Sequence, residues 1–131
     1  MATRAQIITG TDFFGMPTRD LEAAVAFYGE TLALPRSVYM PERNYAEFET
    51  GNLTLSVLDG EKMGIGHELN RIAIALHVDD VAQARATLRE RGVQFHGDIL
   101  DTGVCHMAFF ADRDGNAIML HHRYAPRTPE S

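Results

Sequence analysis

Apolar residues follow two kinds of spacing along the chain, and the same succession of spacings occurs twice. A short apolar segment begins at Phe13, and a second runs from 72 to 76. After each segment, apolar residues recur every three or four positions, as they do on one face of an amphipathic helix. The pattern predicts a first helix from about 21 to 32 and a second from about 81 to 91.

The two stretches align when the sequence is shifted by 60 residues, which indicates an internal repeat. The shift brings Asp20 onto Asp80, and each carboxylate stands where it can accept hydrogen bonds from the first free amides of a helix. Each half then continues with short strand-like segments and a Gly-Asn pair, Gly51-Asn52 or Gly115-Asn116, before its last strand. Because Gly and Asn tolerate positive φ, both pairs predict tight turns.

The length of 131 residues suits one domain, and 45% hydrophobic with 23% charged residues is typical of a folded globular protein. We therefore expect a single domain over 1–131. Its first module covers about 10–58, and a linker with three glycines covers 59–70. The second module covers about 71–124, and a polar tail covers 125–131.

The formal net charge of -6 disfavours anionic partners, so we expect neither a nucleic acid nor a membrane surface as a partner. No apolar run has the length of a membrane span, and the N-terminus lacks a secretory apolar region. A cytoplasmic location is therefore expected. Cys105 is the only cysteine, which excludes a disulfide framework and a thiolate zinc cluster.

Two segments carry a family resemblance. Residues 20–28 read Asp-Leu-Glu-Ala-Ala-Val-Ala-Phe-Tyr, and residues 112–120 read Asp-Arg-Asp-Gly-Asn-Ala-Ile-Met-Leu. The first resembles the first helix of glyoxalase and bleomycin-resistance-like proteins, and the second is similar to their Asp-Pro-Asp-Gly-Asn segment. The chain thus resembles the vicinal oxygen chelate superfamily, which also includes extradiol dioxygenases. The resemblance implies an α+β fold of two βαβββ modules, with curled mixed sheets around a cavity, and a homodimer.

The resemblance also implies where a metal ion would bind. In metal-using members, one ligand lies seven residues before the helix-capping Asp, and another lies four residues after the Gly of the last turn. These positions correspond to Phe13 and Leu55 in the first module, and to Ala73 and Met119 in the second. None of the four supplies a carboxylate or an imidazole, so the chain is predicted to hold no metal and no other cofactor.

Strand alternation extends this set of four to a predicted cavity face. The predicted ligand-binding residues are Phe13, Tyr39, Leu55, Ala73, Ala75, Cys105, Met107, Phe109, Met119 and His121. Tyr39 is included because it resembles a position from which a partner subunit closes the cavity. Taken singly, Cys105 and the methionines are more typical of core residues, and Tyr39 could simply cover a sheet edge.

The leading hypothesis is a metal-free, homodimeric protein that binds a small hydrophobic or aromatic molecule, with sequestration or resistance as its role. The alternative is a lyase, isomerase or dioxygenase, with His121 as the base or as a shifted metal ligand. His77, Cys105 and Glu47 or Glu49 are the other residues that a shifted ligand set could use. A third hypothesis is a dimeric interaction module whose pocket is filled by its own side chains.

Overall fold

The computed structural model describes residues 4–127. Module one contains β1 (Phe13–Pro17), α1 (Leu21–Ala26), β2 (Arg36–Met40), β3 (Tyr45–Glu49) and β4 (Thr54–Leu58). Module two contains β5 (Ile74–His77), α2 (Val81–Glu90), β6 (Leu100–Asp101), β7 (Cys105–Ala111) and β8 (Ala117–Arg123). A short 3-10 turn, Pro41–Arg43, joins β2 to β3. The predicted α+β fold of two βαβββ modules is confirmed.

The two sheets have the same topology. Their strand orders are β1-β4-β3-β2 and β5-β8-β7-β6. The first strand of each module pairs in parallel with the last, and the other pairs are antiparallel. Ala111 pairs with Ala117 across the turn between β7 and β8. The internal repeat therefore extends from the sequence to the order and direction of every strand.

The first helix differs from its prediction. The Asp20 carboxylate accepts a hydrogen bond from the Ala23 amide, so the helix begins where the sequence places it. However, α1 ends at Ala26 and continues as a π-helix over Phe27–Thr31. The extra residue in this turn widens the helix and leaves both Phe27 and Tyr28 buried. The predicted continuous α-helix from 21 to 32 is therefore corrected.

The second helix follows its prediction closely. Asp80 caps α2 through the Gln83 amide, and Gly92 follows the last turn with φ +92°. This left-handed conformation is the usual way to end a helix on glycine. Among residues 4–127, no helix has the length and apolar character needed to cross a membrane.

Both modules contribute to one core, which lies between the sheets and the helices. Its fully buried members with the largest side chains are Met16, Tyr28, Phe48, Leu55, Val57, Phe110 and Ile118. The opposite side of each sheet, called here the open face, is not covered by helices. Phe13 on the open face of module one is 57% exposed. The two sheets remain separate, so the predicted cavity is not closed by one chain alone.

Candidate functional site

The open face of module two brings together five of the ten predicted ligand-binding residues. Register pairs Ala75 with Met119 and His77 with His121 between β5 and β8. Phe109 pairs with Met119, and Met107 pairs with His121, between β7 and β8. Since directly paired residues point to the same side of a sheet, these side chains form one surface. This surface is the open face of module two: Ala75, His77, Met107, Phe109, Met119 and His121.

The open face of module one is more polar. Phe13 and Gly15 on β1 pair with Thr54 and Ser56 on β4, and these pair with Glu49 and Glu47 on β3. The open face of module one therefore consists of Phe13, Gly15, Glu47, Glu49, Thr54 and Ser56. Alternation along β3, in which Ala46 and Phe48 are buried, is the sequence signal that places the two glutamates here.

Leu55 does not belong to this face, contrary to the prediction. It pairs with Phe14 on β1 and with Phe48 on β3, and it is fully buried in the core. Counting from the turn glycine fails because the two turns differ in length: four residues (50–53) separate β3 from β4, whereas five (112–116) separate β7 from β8. A slip of one residue moves a side chain to the other side of the sheet. The residue equivalent to Met119 is therefore Ser56.

The corrected ligand positions are Phe13, Ser56, Ala73 and Met119. Phe13 and Ala73 offer no donor atom, Met119 offers a thioether, and Ser56 offers one neutral hydroxyl. Catalytic divalent ions need two or three imidazole or carboxylate ligands, so these four side chains do not fit the ion of the metal-using members. Within the described range 4–127, no three His, Cys, Asp or Glu side chains are grouped so that they could hold a metal.

Small side chains leave room beside the larger ones of module two. Ala75 lies exposed on β5, and Ala73 precedes that strand and is half-buried. Met107, Phe109 and Met119 lie on the neighbouring strands and are only partly covered. A flat apolar ligand could therefore contact the aromatic ring of Phe109 and the thioethers above the alanine backbone.

His121 is the residue with the clearest capacity for proton transfer on this face. It is half-buried between His77 and Met107 in the register of the sheet. Across residues 4–127, no side chain forms a hydrogen bond with its ring, whereas the His77 ring lies 3.2 Å from the Asp79 carboxylate. A general base is normally oriented by such a partner, and the described residues supply none to His121.

Two further predicted residues lie at the margins of the site. Cys105 is buried on β7, where the Arg123 guanidinium approaches its sulfur at 3.8 Å. Tyr39 pairs with Ala46, which places it on the helix-facing side of the edge strand β2. The Arg36 guanidinium lies 4.6 Å from the centre of the Tyr39 ring. The structure therefore does not bring Tyr39 together with Phe109 and Met119.

A buried polar network, which was not predicted from the sequence, joins the two modules. The Asp112 carboxylate accepts hydrogen bonds from the backbone amides of Asp114, Gly115 and Asn116. It also accepts one from the Tyr28 hydroxyl at 2.6 Å. Burial raises the pKa of Tyr28 far above its ordinary value, and the Asp112 charge raises it further. Tyr28 therefore remains a donor and fixes the first helix to the last hairpin.

Comparison with known proteins agrees with this architecture. The model of the glyoxalase/bleomycin resistance protein/dioxygenase superfamily matches residues 10–120. The chain is 28% identical to TnmS3, an antibiotic binding protein from Streptomyces sp. CB03234, with a TM-score of 0.76 over 91% of this chain and 99% of that one. It is 20% identical to a glyoxalase family protein from Bacillus anthracis, a likeness of fold, with a TM-score of 0.78 over 92% and 99% of the two chains.

A curated relative extends the comparison at the level of sequence. Protein YraH of Bacillus subtilis (strain 168) is 28% identical over 114 residues, which cover 78% of this chain and 89% of that protein. The matched family model spans both helices, the network around Asp112 and all of the two open faces except His121. The chain belongs to the glyoxalase/bleomycin resistance protein/dioxygenase superfamily.

Proposed function

We propose that this protein binds a small hydrophobic or aromatic molecule, without a metal ion, on the open faces of a homodimer. The observation that carries the proposal is the chemistry of Phe13, Ser56, Ala73 and Met119. At the positions that would hold the ion of a metal-dependent enzyme, three side chains suit apolar contact and the fourth, Ser56, offers only a neutral hydroxyl. The same positions that could not hold a catalytic ion can hold an organic ligand.

The arrangement of β7 and β8 supports an aromatic ligand. Met107, Phe109 and Met119 occupy neighbouring positions on one surface. A phenyl ring offers a flat apolar contact, and thioethers adapt their shape and are polarisable. Ligand pockets typically combine such a lining with a few polar groups, which half-buried His121 can provide.

The relative from Streptomyces supports binding as the role. TnmS3 is described as an antibiotic binding protein, and its similarity to this chain covers nearly the whole of both. We infer by this likeness that sequestration of a small molecule is the role of this protein.

A second copy of the chain would complete the site. The open faces carry large apolar side chains that one chain leaves in water, and Phe13 is the most exposed of them. Apolar patches of this kind are usually covered by a partner or a ligand. A module-one face placed over a module-two face would make one wall polar and the other apolar. A ligand with a flat apolar body and a hydrogen-bonding edge fits such a cavity best.

Metal analysis is the first test. Untagged protein is analysed by mass spectrometry for bound metals, then titrated with zinc, nickel, manganese and ferrous ions while its melting temperature is followed. We expect metal well below stoichiometric amounts and no stabilisation at one equivalent. A stoichiometric ion that stabilises the protein, and that is lost in a Met119→Ala variant, would contradict the metal-free site.

Ligand binding is tested by methyl NMR of methionines labelled with carbon-13, using naphthalene- and quinoline-based probes. The chain carries its own controls: Met16 is fully buried in the core, and Met63 lies exposed in the linker. We expect probes to shift the Met107 and Met119 methyl signals and to leave those of Met16 and Met63 in place. Probes that shift only the Met63 signal, or none, would refute the proposed site.

A further inference from the structure

An arginine borders one end of the apolar surface of module two. Cys105 on β7 pairs with Arg123 on β8, one step beyond the pair formed by Met107 and His121. Because alternate residues of a strand point to the same side, Arg123 lies on the side of the sheet that carries the open face of module two. Arg123 Nη1 donates to the Cys105 sulfur at 3.8 Å, so the guanidinium lies across the sheet, beside the open face.

This cation lacks an acidic partner. Across residues 4–127, Arg123 forms no salt bridge, and its Nε is shielded from water without a hydrogen-bond partner. Its guanidinium contacts the Cys105 sulfur, which is neutral and a weak acceptor. A partly desolvated charge without a strong acceptor is unfavourable, because burial removes the water that would otherwise surround it. A group that brings a strong acceptor to Arg123 would therefore gain binding energy.

Arg85 on α2 shows how the chain compensates such a group by itself. Its Nε is also shielded without a partner, but its Nη2 donates to the Gly97 carbonyl at 3.1 Å. The Arg85 guanidinium also lies 5.4 Å from the centre of the Phe95 ring. A carbonyl and an aromatic face both stabilise a cation. In the described part of the chain, Arg123 has neither of them, so we expect its acceptor to come from a bound molecule.

The acidic side chains of the neighbouring elements have other partners. Asp101 pairs with His106, which places it on the opposite side of the sheet, where it accepts from the Tyr124 hydroxyl at 2.8 Å. The Asp79 carboxylate lies 3.2 Å from the His77 ring. None of the six residues that form the open face of module two carries a carboxylate. An anion bound there would meet one uncompensated positive charge and no negative charge on that face.

We propose that Arg123 binds the acidic group of the ligand, so that the protein selects aromatic molecules that carry one carboxylate over their neutral counterparts. This selectivity rests on the ligand site of the proposed function. A guanidinium can donate two parallel hydrogen bonds to a carboxylate, and one such cation balances one negative charge. The His121 ring is the next side chain along this side of β8, and it can donate a further hydrogen bond.

The spacing along β8 sets the size of the ligand. Arg123, His121 and Met119 follow one another at intervals of about 7 Å. The pair of Met107 with His121 and the pair of Phe109 with Met119 therefore provide apolar surface within about 14 Å of the arginine. A body of two fused rings with a carboxylate at one end fits this length. 2-Naphthoate is such a molecule, and 2-naphthamide is its neutral counterpart of nearly the same shape.

A comparison of these two probes tests the selectivity on the unmodified protein. Both are titrated at neutral pH, where the carboxylate is charged and the amide is not, and affinities are read from the methyl signals of Met107 and Met119. We expect 2-naphthoate to bind at least about tenfold more tightly than 2-naphthamide. Equal affinities, or tighter binding of the amide, would overturn the role of Arg123 and leave the ligand site standing. If neither probe shifts either methyl signal, the proposed ligand site fails as well.

Three substitutions assign the preference to a residue, with thermal melting as the check of folding. Arg123→Gln is expected to reduce the preference to less than about twofold while 2-naphthamide binds as before. Arg123→Lys is expected to keep part of the preference, because the charge remains without the paired donors. Arg89→Gln makes the same change of charge at an exposed position on α2 and should leave the preference unchanged. A full preference in Arg123→Gln would overturn the assignment.

Glu47 provides the last control. It is half-buried on the open face of module one and forms no salt bridge within residues 4–127, so it could neutralise Arg123 if the two open faces meet. In that case, a preference for 2-naphthoate would appear only after Glu47→Gln, and this result would overturn the role of Arg123 in ligand binding. We expect the preference to be present both in the unmodified protein and in Glu47→Gln.

Discussion

The two modules share one backbone plan, and their two sides have diverged to different extents. On the helix-facing side, the equivalent pairs are nearly the same: Ala46 and Phe48 in module one correspond to Ala108 and Phe110 in module two. On the open side, Ser56 and Glu47 of module one correspond to Met119 and Phe109 of module two. Residues on the helix-facing side pack into the shared core, where adding or removing even one methylene group lowers stability.

The difference shows which constraint acts on which surface. Packing against the helices restricts the buried rows to residues of matching size, whereas the open faces are free to acquire new chemistry. In this chain, the open face of module one carries hydroxyl and carboxyl groups, and that of module two is mainly apolar. One duplicated scaffold thus supplies two unlike surfaces for a ligand.

The largest expected effect is on stability, and it comes from comparing substitutions on the two sides of β4. Leu55→Ala removes a fully buried side chain, and we expect it to lower the free energy of unfolding by about 3 kcal/mol. Ser56→Ala should cost less than about 1 kcal/mol, because it leaves no cavity of comparable size. Urea denaturation measures both. A Leu55→Ala variant of normal stability would place Leu55 on the open face after all.

The next effect concerns the buried contact that joins the modules. Tyr28→Phe leaves the buried Asp112 carboxylate without one donor, and we expect a loss of about 2 kcal/mol. The matched control is Tyr124→Phe, since Tyr124 donates to Asp101 at 2.8 Å on the surface. That change should cost less than about 0.5 kcal/mol in the same denaturation experiment. Equal losses in the free energy of unfolding would contradict a special stabilising role of the buried network between the two modules.

The open faces themselves are compared through ligand affinity. Met119→Ala should weaken the binding of an aromatic probe about tenfold, because it removes a contact of the apolar wall. Ser56→Ala, at the equivalent position of module one, should change affinity less than about threefold. Probe titrations followed by methyl NMR give both values. A larger loss of affinity from Ser56→Ala than from Met119→Ala would indicate that the main ligand contact is on the open face of module one.

The smallest expected effect is on how far stability falls at acidic pH. Hydrogen bonds from Ser37 and then Thr54 hold the pKa of Glu49 below its ordinary value of 4.5. A lowered folded-state pKa adds stability above the unfolded value, and this stability is lost as the pH falls through the folded value. Glu49→Gln should therefore give a shallower fall in urea midpoint below about pH 4.5.

Asp101 offers the same test in module two. A backbone hydrogen bond from Gly103, followed by one from Tyr124, lowers its pKa. Asp101→Asn should reduce the acid sensitivity in the same direction as Glu49→Gln, over the same range below about pH 4. A steeper fall of the urea midpoint with acid in either variant would contradict the lowered pKa of the carboxyl group that the variant removes.

Local signals in the sequence predicted much of the fold. Asp20 and Asp80 mark the helix starts because capping depends on residues only three positions apart. The turn at Gly115-Asn116 is likewise marked by its own residues, and Ala111 pairs with Ala117 across it. The cavity row of module two was predicted in the same way, because alternation along a single strand fixes which side chains share a side.

Features that depend on distant contacts could not be predicted. The side on which Leu55 lies is set by the length of a turn and by pairing with β1, neither of which is encoded in β4 itself. The π-helix at Phe27–Thr31 forms where Tyr28 meets Asp112, a partner 84 residues away. Alternation along β3 puts Glu47 and Glu49 on one side of that strand, but only its pairing with β4 brings them onto the open face of module one.

The bond between Tyr28 and Asp112 also has a consequence for biosynthesis. A nascent chain emerges from its N-terminus, so the first helix leaves the ribosome long before residue 112 is made. Until then, a hydroxyl that will be buried must stay hydrated, and the first module cannot close its core. Such late closure exposes apolar surface during synthesis. We therefore expect chains truncated before Asp112 to be cut readily by protease and the 131-residue chain to resist it.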